Sequence, residues 1–346
     1  MTKRWCICFL LSFLLLLTGT GGLTAVIDPY FHYHKPLESF SYNIYNERYQ
    51  NDGIVKHFDY DALITGTSMT ENFKSSEMDV LFGVQSVKVP FSGAAYKEIR
   101  ENLERAFAAN KNIRIVLWGL DYNRFCGDFN AISYDSYPAY LYDYNPFNDV
   151  KYLFNKSVLF GETYGNVIAY TKAGGHTTTF DNYCNWNSSQ TFGREAVLSQ
   201  ASRPAKTEDE AYRKLDPENI EENVLSVVKA NPDTEFYLFW TPYSILFFDI
   251  ANQNGSLKNI LLWEKEALEL MLPYENIHFF SLFDDYDVIT NLDNYKDYLH
   301  YHEDINSYLL KCMASGEHEL TLDNYVEYCR EVWNFYVMYN YDGIYE

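Results

Sequence analysis

The sequence predicts an α/β protein built on a central parallel sheet, with a membrane-spanning helix ahead of it and a large aromatic-rich insertion within it. Three observations carry that expectation. Short apolar runs and an amphipathic segment alternate over residues 62–118, the order that right-handed crossovers and a parallel sheet require. Residues 5–27 form a run of 23 positions without a charge. Residues 124 to about 215 break the alternation, offering tyrosine, asparagine and Gly174-Gly175 in place of any clear period.

Lys3 and Arg4 precede the uncharged run and Asp28 follows it. At about 1.5 Å per residue the run is long enough for a hydrocarbon core of roughly 30 Å, and the basic flank directs the amino terminus to the cytoplasm. The expectation is a single-pass anchor at 1–27, with everything beyond it extracytoplasmic. The small residues Thr18 to Gly22 admit a cleaved signal peptide as the alternative, although no Ala-x-Ala site is present. Residues 28–57 carry Tyr30, Phe31, Tyr33, Phe40, Tyr42 and Tyr45 among polar residues. They read as an irregular collar ahead of a domain at 58–346.

In that domain, residues 62–65 are a buried-strand run that Gly66 breaks, so Thr67 and Ser68 fall on a sharp turn at the carboxyl end of a strand. Open α/β sheets bind ligands there, and a helix amino terminus at that place offers N–H groups to an anion. A second strand at 85–89 leads to a loop containing Gly93. An amphipathic helix at 95–110 has Ile99, Leu103, Ala106 and Phe107 at spacings of three and four. The strand at 113–118 ends in the segment from Gly119 to Asn123. All three loops are expected to open on one sheet edge. After the insertion come a helix near 218–230, a strand at 235–240, a helix at about 257–272, a strand at 277–282 and a terminal helix at 322–339. The aromatic insertion reads as a wall or lid, its rings serving either as ordinary packing or as a platform for sugar rings.

A late Asp297-Tyr298-Leu299-His300 supplies what Ser68 lacks. A carboxylate three residues before a histidine can bond one ring nitrogen and leave the other for a serine. Ser68 is therefore the candidate nucleophile, His300 its base and Asp297 the orienting carboxylate, with His302 and Asp293 as local rivals. The N–H groups of Ser68 and Gly93 are candidate oxyanion donors, each worth on the order of 3 kcal/mol in a transition state.

At these residues the chain resembles the SGNH (GDSL-like) hydrolase superfamily, particularly its membrane-anchored bacterial branches related to DltD and AlgJ-type cell-envelope acyl-transfer proteins. Gly66-Thr67-Ser68 matches the first block, Gly93 the second, and Asp297 with His300 the last. The third block is half present in Gly119-Leu120-Asp121-Tyr122-Asn123. Thr67 stands where the family has Asp, and Asp121 where it has an oxyanion-binding Asn. An ionised Asp121 would be acceptor-only and would oppose an oxyanion. Asn123 is the nearby substitute.

The resemblance implies a three-layer flavodoxin-like fold and a serine esterase or O-acyltransferase in the bacterial cell membrane. Its substrate would be an acyl ester of a cell-wall or exported polysaccharide, and transfer would imply a membrane-bound O-acyltransferase as partner. The departures at Thr67 and Asp121 favour the other reading, a catalytically inactive SGNH-like domain that binds polysaccharide or scaffolds an envelope complex.

With 48 acidic and 27 basic residues, the net charge of −21 disfavours nucleic-acid binding, and no basic cluster overrides it. No cofactor is expected. His32 with His34 and His300 with His302 are the close histidine pairs, and no Cys-x-x-Cys occurs, so no metal site is expected either. Cys126, Cys184, Cys312 and Cys329 lie beyond the anchor. They read either as free thiols or as disulfide partners, Cys312 with Cys329 being one pairing.

Overall fold

The computed structural model describes every residue except Met1, Asn123, residues 135–137 and Tyr144. The chain divides into two compact units. One holds Met1–Asp59, Arg105–Asn110 and Tyr134–Thr179; the other holds Tyr60–Glu104, Lys111–Ser133 and Phe180–Glu346. The stretch at 124–215 is thus shared between them.

The second unit is a mixed α/β structure on a six-stranded sheet. Its strands are β1 (Ala62–Thr65), β2 (Ser86–Lys88), β3 (Ile115–Leu120), β4 (Glu235–Trp240), β5 (Ile277–Phe280) and β6 (Glu319–Leu320), in the spatial order β2-β1-β3-β4-β5-β6. The first five are parallel and β6 is antiparallel to β5. Every residue of β1 and β3 is buried, as strands covered on both faces must be. The strand order reverses direction between β1 and β3, so the crevice beyond their carboxyl ends is where such a sheet binds ligands.

Helices Ser75–Phe82, Tyr96–Ala109, Ile245–Gln253, Leu257–Met271 and Glu303–Ser315 connect or follow the strands. Within Tyr96–Ala109, Ile99, Leu103 and Ala106 of the expected apolar face are buried and Phe107 is half-buried. The strand expected at 113–118 runs instead over Ile115–Leu120, because its register continues to Gly119↔Phe239 and Leu120↔Trp240. The terminal helix is Tyr325–Met338. Cys312 and Cys329 are free thiols, one in each of the last two long helices, so the suggested disulfide between them is not formed.

Glu264, on helix Leu257–Met271, is buried where the hydroxyls of Tyr122 and Tyr328 donate to it at 3.0 and 2.7 Å. Burial outweighs those bonds and pushes its carboxyl up from 4.5 to about 7. A raised acid stabilises the fold fully below its unfolded value and loses that contribution as pH climbs through the folded one. Unfolding free energy should therefore fall by about 3 kcal/mol between pH 4.5 and pH 7 on account of this group. Glu264→Gln should flatten that decline in urea titrations. An unchanged slope would assign the decline to other groups.

The first unit contains helices Thr2–Ile27, Glu47–His57 and Val158–Ala169, together with a single turn at Val150–Leu153. Thr2–Ile27 is long and apolar enough over Lys3–Ile27 to cross a membrane, a property it shares with signal sequences. The hydroxyls of Thr18 and Thr20 donate to carbonyls of Leu14 and Leu16 at 2.9 Å, which satisfies both within the helix.

Beyond this helix Asp28 adopts a left-handed φ of 47° and is fully buried. It accepts from the backbone N–H groups of His32, Tyr33 and His34 and from the Tyr152 hydroxyl at 2.7 to 3.0 Å. The collar expected to be irregular holds the helix Glu47–His57, which buries Glu47, Gln50, Asn51 and Asp52. Asp52 is paired there with Lys56 and Arg105 at 2.6 and 2.9 Å.

Candidate active site

The site begins at Gly66, whose φ of 144° lies outside the range that side chains favour. A Cβ there would come within 2.6 Å of the Thr70 methyl and 3.0 Å of the Gly119 carbonyl, so the chain turns where only glycine fits. Ser68 follows and opens a single 3₁₀ turn, Ser68–Thr70, rather than a long helix; the α-helix starts at Ser75. Two anchors fix this turn. Lys88, fully buried in β2, donates to the carbonyls of Glu71 and, at 2.8 Å, Phe73. The Met69 carbonyl accepts from the Tyr301 hydroxyl at 2.9 Å and the Asn306 amide at 3.2 Å.

Those last two donors come from the segment carrying His300, which brings residues 232 positions apart together. Tyr295 and Tyr301 form an antiparallel bridge, and Lys296 N–H donates to the His300 carbonyl at 3.0 Å, closing a loop with Asp297 and His300 at its tip. Ser244, at the exit of β4, donates its hydroxyl to the Tyr298 carbonyl at 2.9 Å and ties this loop to the sheet edge.

Ser68 Oγ lies 2.9 Å from His300 Nε2, and His300 Nδ1 lies 2.8 Å from Asp297 Oδ2. Asp297 Oδ1 accepts from the N–H groups of Leu299 and His300 at 2.9 and 2.8 Å, which shapes the turn between the two residues. Burial acts to raise the Asp297 carboxyl, but the His300 ring and these two N–H groups outweigh it and hold it below the usual carboxylate value. It is therefore ionised at neutral pH and favours the tautomer with the proton on Nδ1, leaving Nε2 to accept from Ser68.

The rivals have other tasks. His302 Nδ1 accepts the Asp304 N–H and caps helix Glu303–Ser315, and Asp293 accepts the Arg194 N–H at 3.0 Å.

Gly93 has a φ of 66° in the loop after β2, where Phe91 N–H donates to the Gly66 carbonyl at 2.8 Å. Asn123 lies outside the described residues. Asp121, the first residue past β3, is buried, and its Oδ1 accepts from the Tyr243 hydroxyl at 2.7 Å. Burial raises its carboxyl against the pull of the Thr67 and Tyr243 hydroxyls.

One residue without a motif joins the site. Trp186 is held by Asn72, whose Oδ1 accepts the Trp186 backbone N–H at 3.1 Å, and its indole N–H donates to the Ser68 carbonyl at 3.4 Å. Its ring meets His300 edge-on with centroids 5.6 Å apart and stacks near Phe192 at 6.2 Å. The Lys296 ammonium sits 4.3 Å above it. A cavity of about 440 Å³, lined among others by Val197, Leu246 and Ile250, reaches Asp297. Among the described residues no group of three or more His, Cys, Asp or Glu side chains is arranged to hold a metal ion.

No family model matches this chain, and no curated protein matches it. Among solved structures it is similar to a protein from Streptococcus pneumonia, described provisionally as a platelet activating factor, with a TM-score of 0.38 and 14% identity over 78% of this chain and 91% of that one.

Proposed function

We propose that this protein is a serine esterase or O-acyltransferase of the SGNH type, acting on an acyl ester of a cell-wall or exported polysaccharide. The observation that carries the reading is the unbroken relay from Ser68 Oγ through the His300 ring to Asp297, with 2.9 and 2.8 Å links. The parallel strand order 2-1-3-4-5, which is that of flavodoxin-like sheets, supports the same assignment.

In this mechanism Ser68 Oγ attacks the acyl carbon while its proton passes to His300 Nε2, and Asp297 stabilises the imidazolium through Nδ1–H. The ester C–O bond breaks, His300 returns the proton to the leaving sugar oxygen, and Ser68 holds the acyl group. Water then completes hydrolysis, or a sugar hydroxyl completes transfer. The N–H groups of Ser68 and Gly93 serve the oxyanion. Burial favours the neutral form of Asp121 against the pull of its hydroxyl partners, and so weakens the opposition that an ionised carboxylate would offer them. Thr2–Ile27 acts as an uncleaved anchor with the sheet unit outside the cytoplasm, where a membrane-bound O-acyltransferase is the partner if the reaction is transfer.

Mass spectrometry of the intact protein quenched after mixing with an activated acyl ester tests the reading: one acyl adduct on Ser68 is expected. No adduct on folded protein would favour a silent domain that binds polysaccharide or scaffolds an envelope complex. Asp121→Asn, a neutral isostere, should keep kcat within about threefold of the parent, less than 1 kcal/mol of barrier. It should also be more stable than the parent above pH 4, because a raised acid costs stability as pH rises past its unfolded value of 3.8. A hundredfold loss of kcat in a folded variant would give the carboxyl a direct part in the reaction.

A further inference from the structure

The last two turns of helix Thr2–Ile27 are not free on all sides. Gly21, Thr24 and Ile27, three residues apart, are buried on one face, while Leu23 and Val26 stay exposed on the other. The buried face packs against the Val150–Leu153 turn and the Val158–Ala169 helix of the same unit. At Gly21 the approach is close enough that a Cβ would stand 2.9 Å from the Phe154 ring.

That contact sets a depth. The charge-free run begins at Trp5, and about twenty residues at about 1.5 Å each fill a hydrocarbon core of roughly 30 Å, which places its outer boundary near Thr24. Gly21 lies on the hydrocarbon side of that boundary. Phe154 therefore shares the level of the acyl chains.

The surface around it suits that level. Phe147, Val150, Phe154, Phe160 and Tyr164, all within eighteen positions of the sequence, are between 46% and 87% exposed, a local concentration of large apolar side chains left to solvent. Phe160 and Tyr164 stand four residues apart on one helix. Residues 147–164 contain Lys151 and Lys156 against Asp149 and Glu162, in a chain whose net charge is −21, and Asp149 is engaged by the Tyr33 hydroxyl at 2.9 Å. Glu162 is itself engaged by the Tyr45 hydroxyl and the Asn166 amide, each at 2.7 Å. Lysines beside an apolar face lay their stems along it and reach lipid phosphates with their ammonium groups.

We propose that the 147–164 segment is a second membrane contact, in which these five side chains enter the outer leaflet of a phospholipid bilayer beside the anchor. The inference rests on reading Thr2–Ile27 as an uncleaved span. With two contacts the first unit is seated on the lipid surface instead of swinging from a single helix.

The test uses the full chain in nanodiscs of phosphatidylcholine and phosphatidylglycerol, with benzoylphenylalanine in place of Phe147, Phe160 or, within the anchor, Leu15. Thermal unfolding checks that each variant is folded. After photolysis, lipid adducts at 147 and 160 in a yield of the same order as at 15 are expected. Adducts at 15 with none at 147 or 160 would overturn the proposal and leave the anchor standing. The absence of adducts at 15 would overturn the anchor and the proposal together.

Discussion

Ser68→Ala is expected to lower kcat on an acyl ester by at least about a thousandfold, and His300→Ala by a comparable factor. The double variant should be little worse than either single one. The reason is geometric: His300 Nε2 lies 2.9 Å from Ser68 Oγ, so removing either atom would end the same proton transfer. Asp297→Asn is the finer probe. Its Oδ1 would still accept the Leu299 and His300 N–H groups and keep the turn, but an amide no longer fixes the proton on Nδ1, and a loss of about a thousandfold or more is expected. His302→Ala serves as the control. It removes a helix cap worth about 1 kcal/mol of stability and should leave kcat within a few fold, since that ring bonds Asp304 N–H rather than Ser68. Urea titration of each variant separates lost chemistry from lost fold.

The largest effect on stability is expected at Asp249, which is fully buried on helix Ile245–Gln253. Arg203 Nε donates to it at 2.9 Å and a second guanidinium nitrogen at 3.0 Å, and the Tyr345 hydroxyl adds a bond of 2.7 Å. One carboxylate thus gathers the 203 segment and the carboxyl-terminal residues onto the same helix. Asp249→Ala takes the buried partner from the Tyr345 phenol and from the Arg203 guanidinium, which keeps the exposed Asp342 at 2.7 Å, and breaking such a pair from one side costs about 3 kcal/mol. At about 2–4 °C per kcal/mol for a unit of this size, a fall of roughly 10 °C in Tm should follow. A change under about 2 °C would mean that solvent already screens the pair.

The elements with a strong local signal were legible in the sequence. Residues 62–65 followed by Gly66 read as strand then turn, and Asp297-x-x-His300 carries its own geometry in its spacing. What the sequence hid depends on partners far along the chain. Helix Glu47–His57 buries Gln50, Asn51 and Asp52 instead of an apolar stripe, so no period of 3.6 announces it. Trp186 reaches Ser68 because Asn72, 114 positions away, holds its backbone, a contact that no motif records. β6 is two residues long, too short for any alternation to show. The end of β3 is set by its neighbour's ladder and not by its own composition, which is why Gly119 and Leu120 belong to the strand.

The central claim is that Ser68 is activated by His300, and labelling with a fluorophosphonate probe tests it most directly. The wild-type chain should form one covalent adduct, mapped by peptide mass to Ser68, with labelling lost in Ser68→Ala and strongly slowed in His300→Ala. Equal labelling of the wild-type and folded His300→Ala proteins, or an unlabelled Ser68 in the folded wild-type chain, would contradict the account.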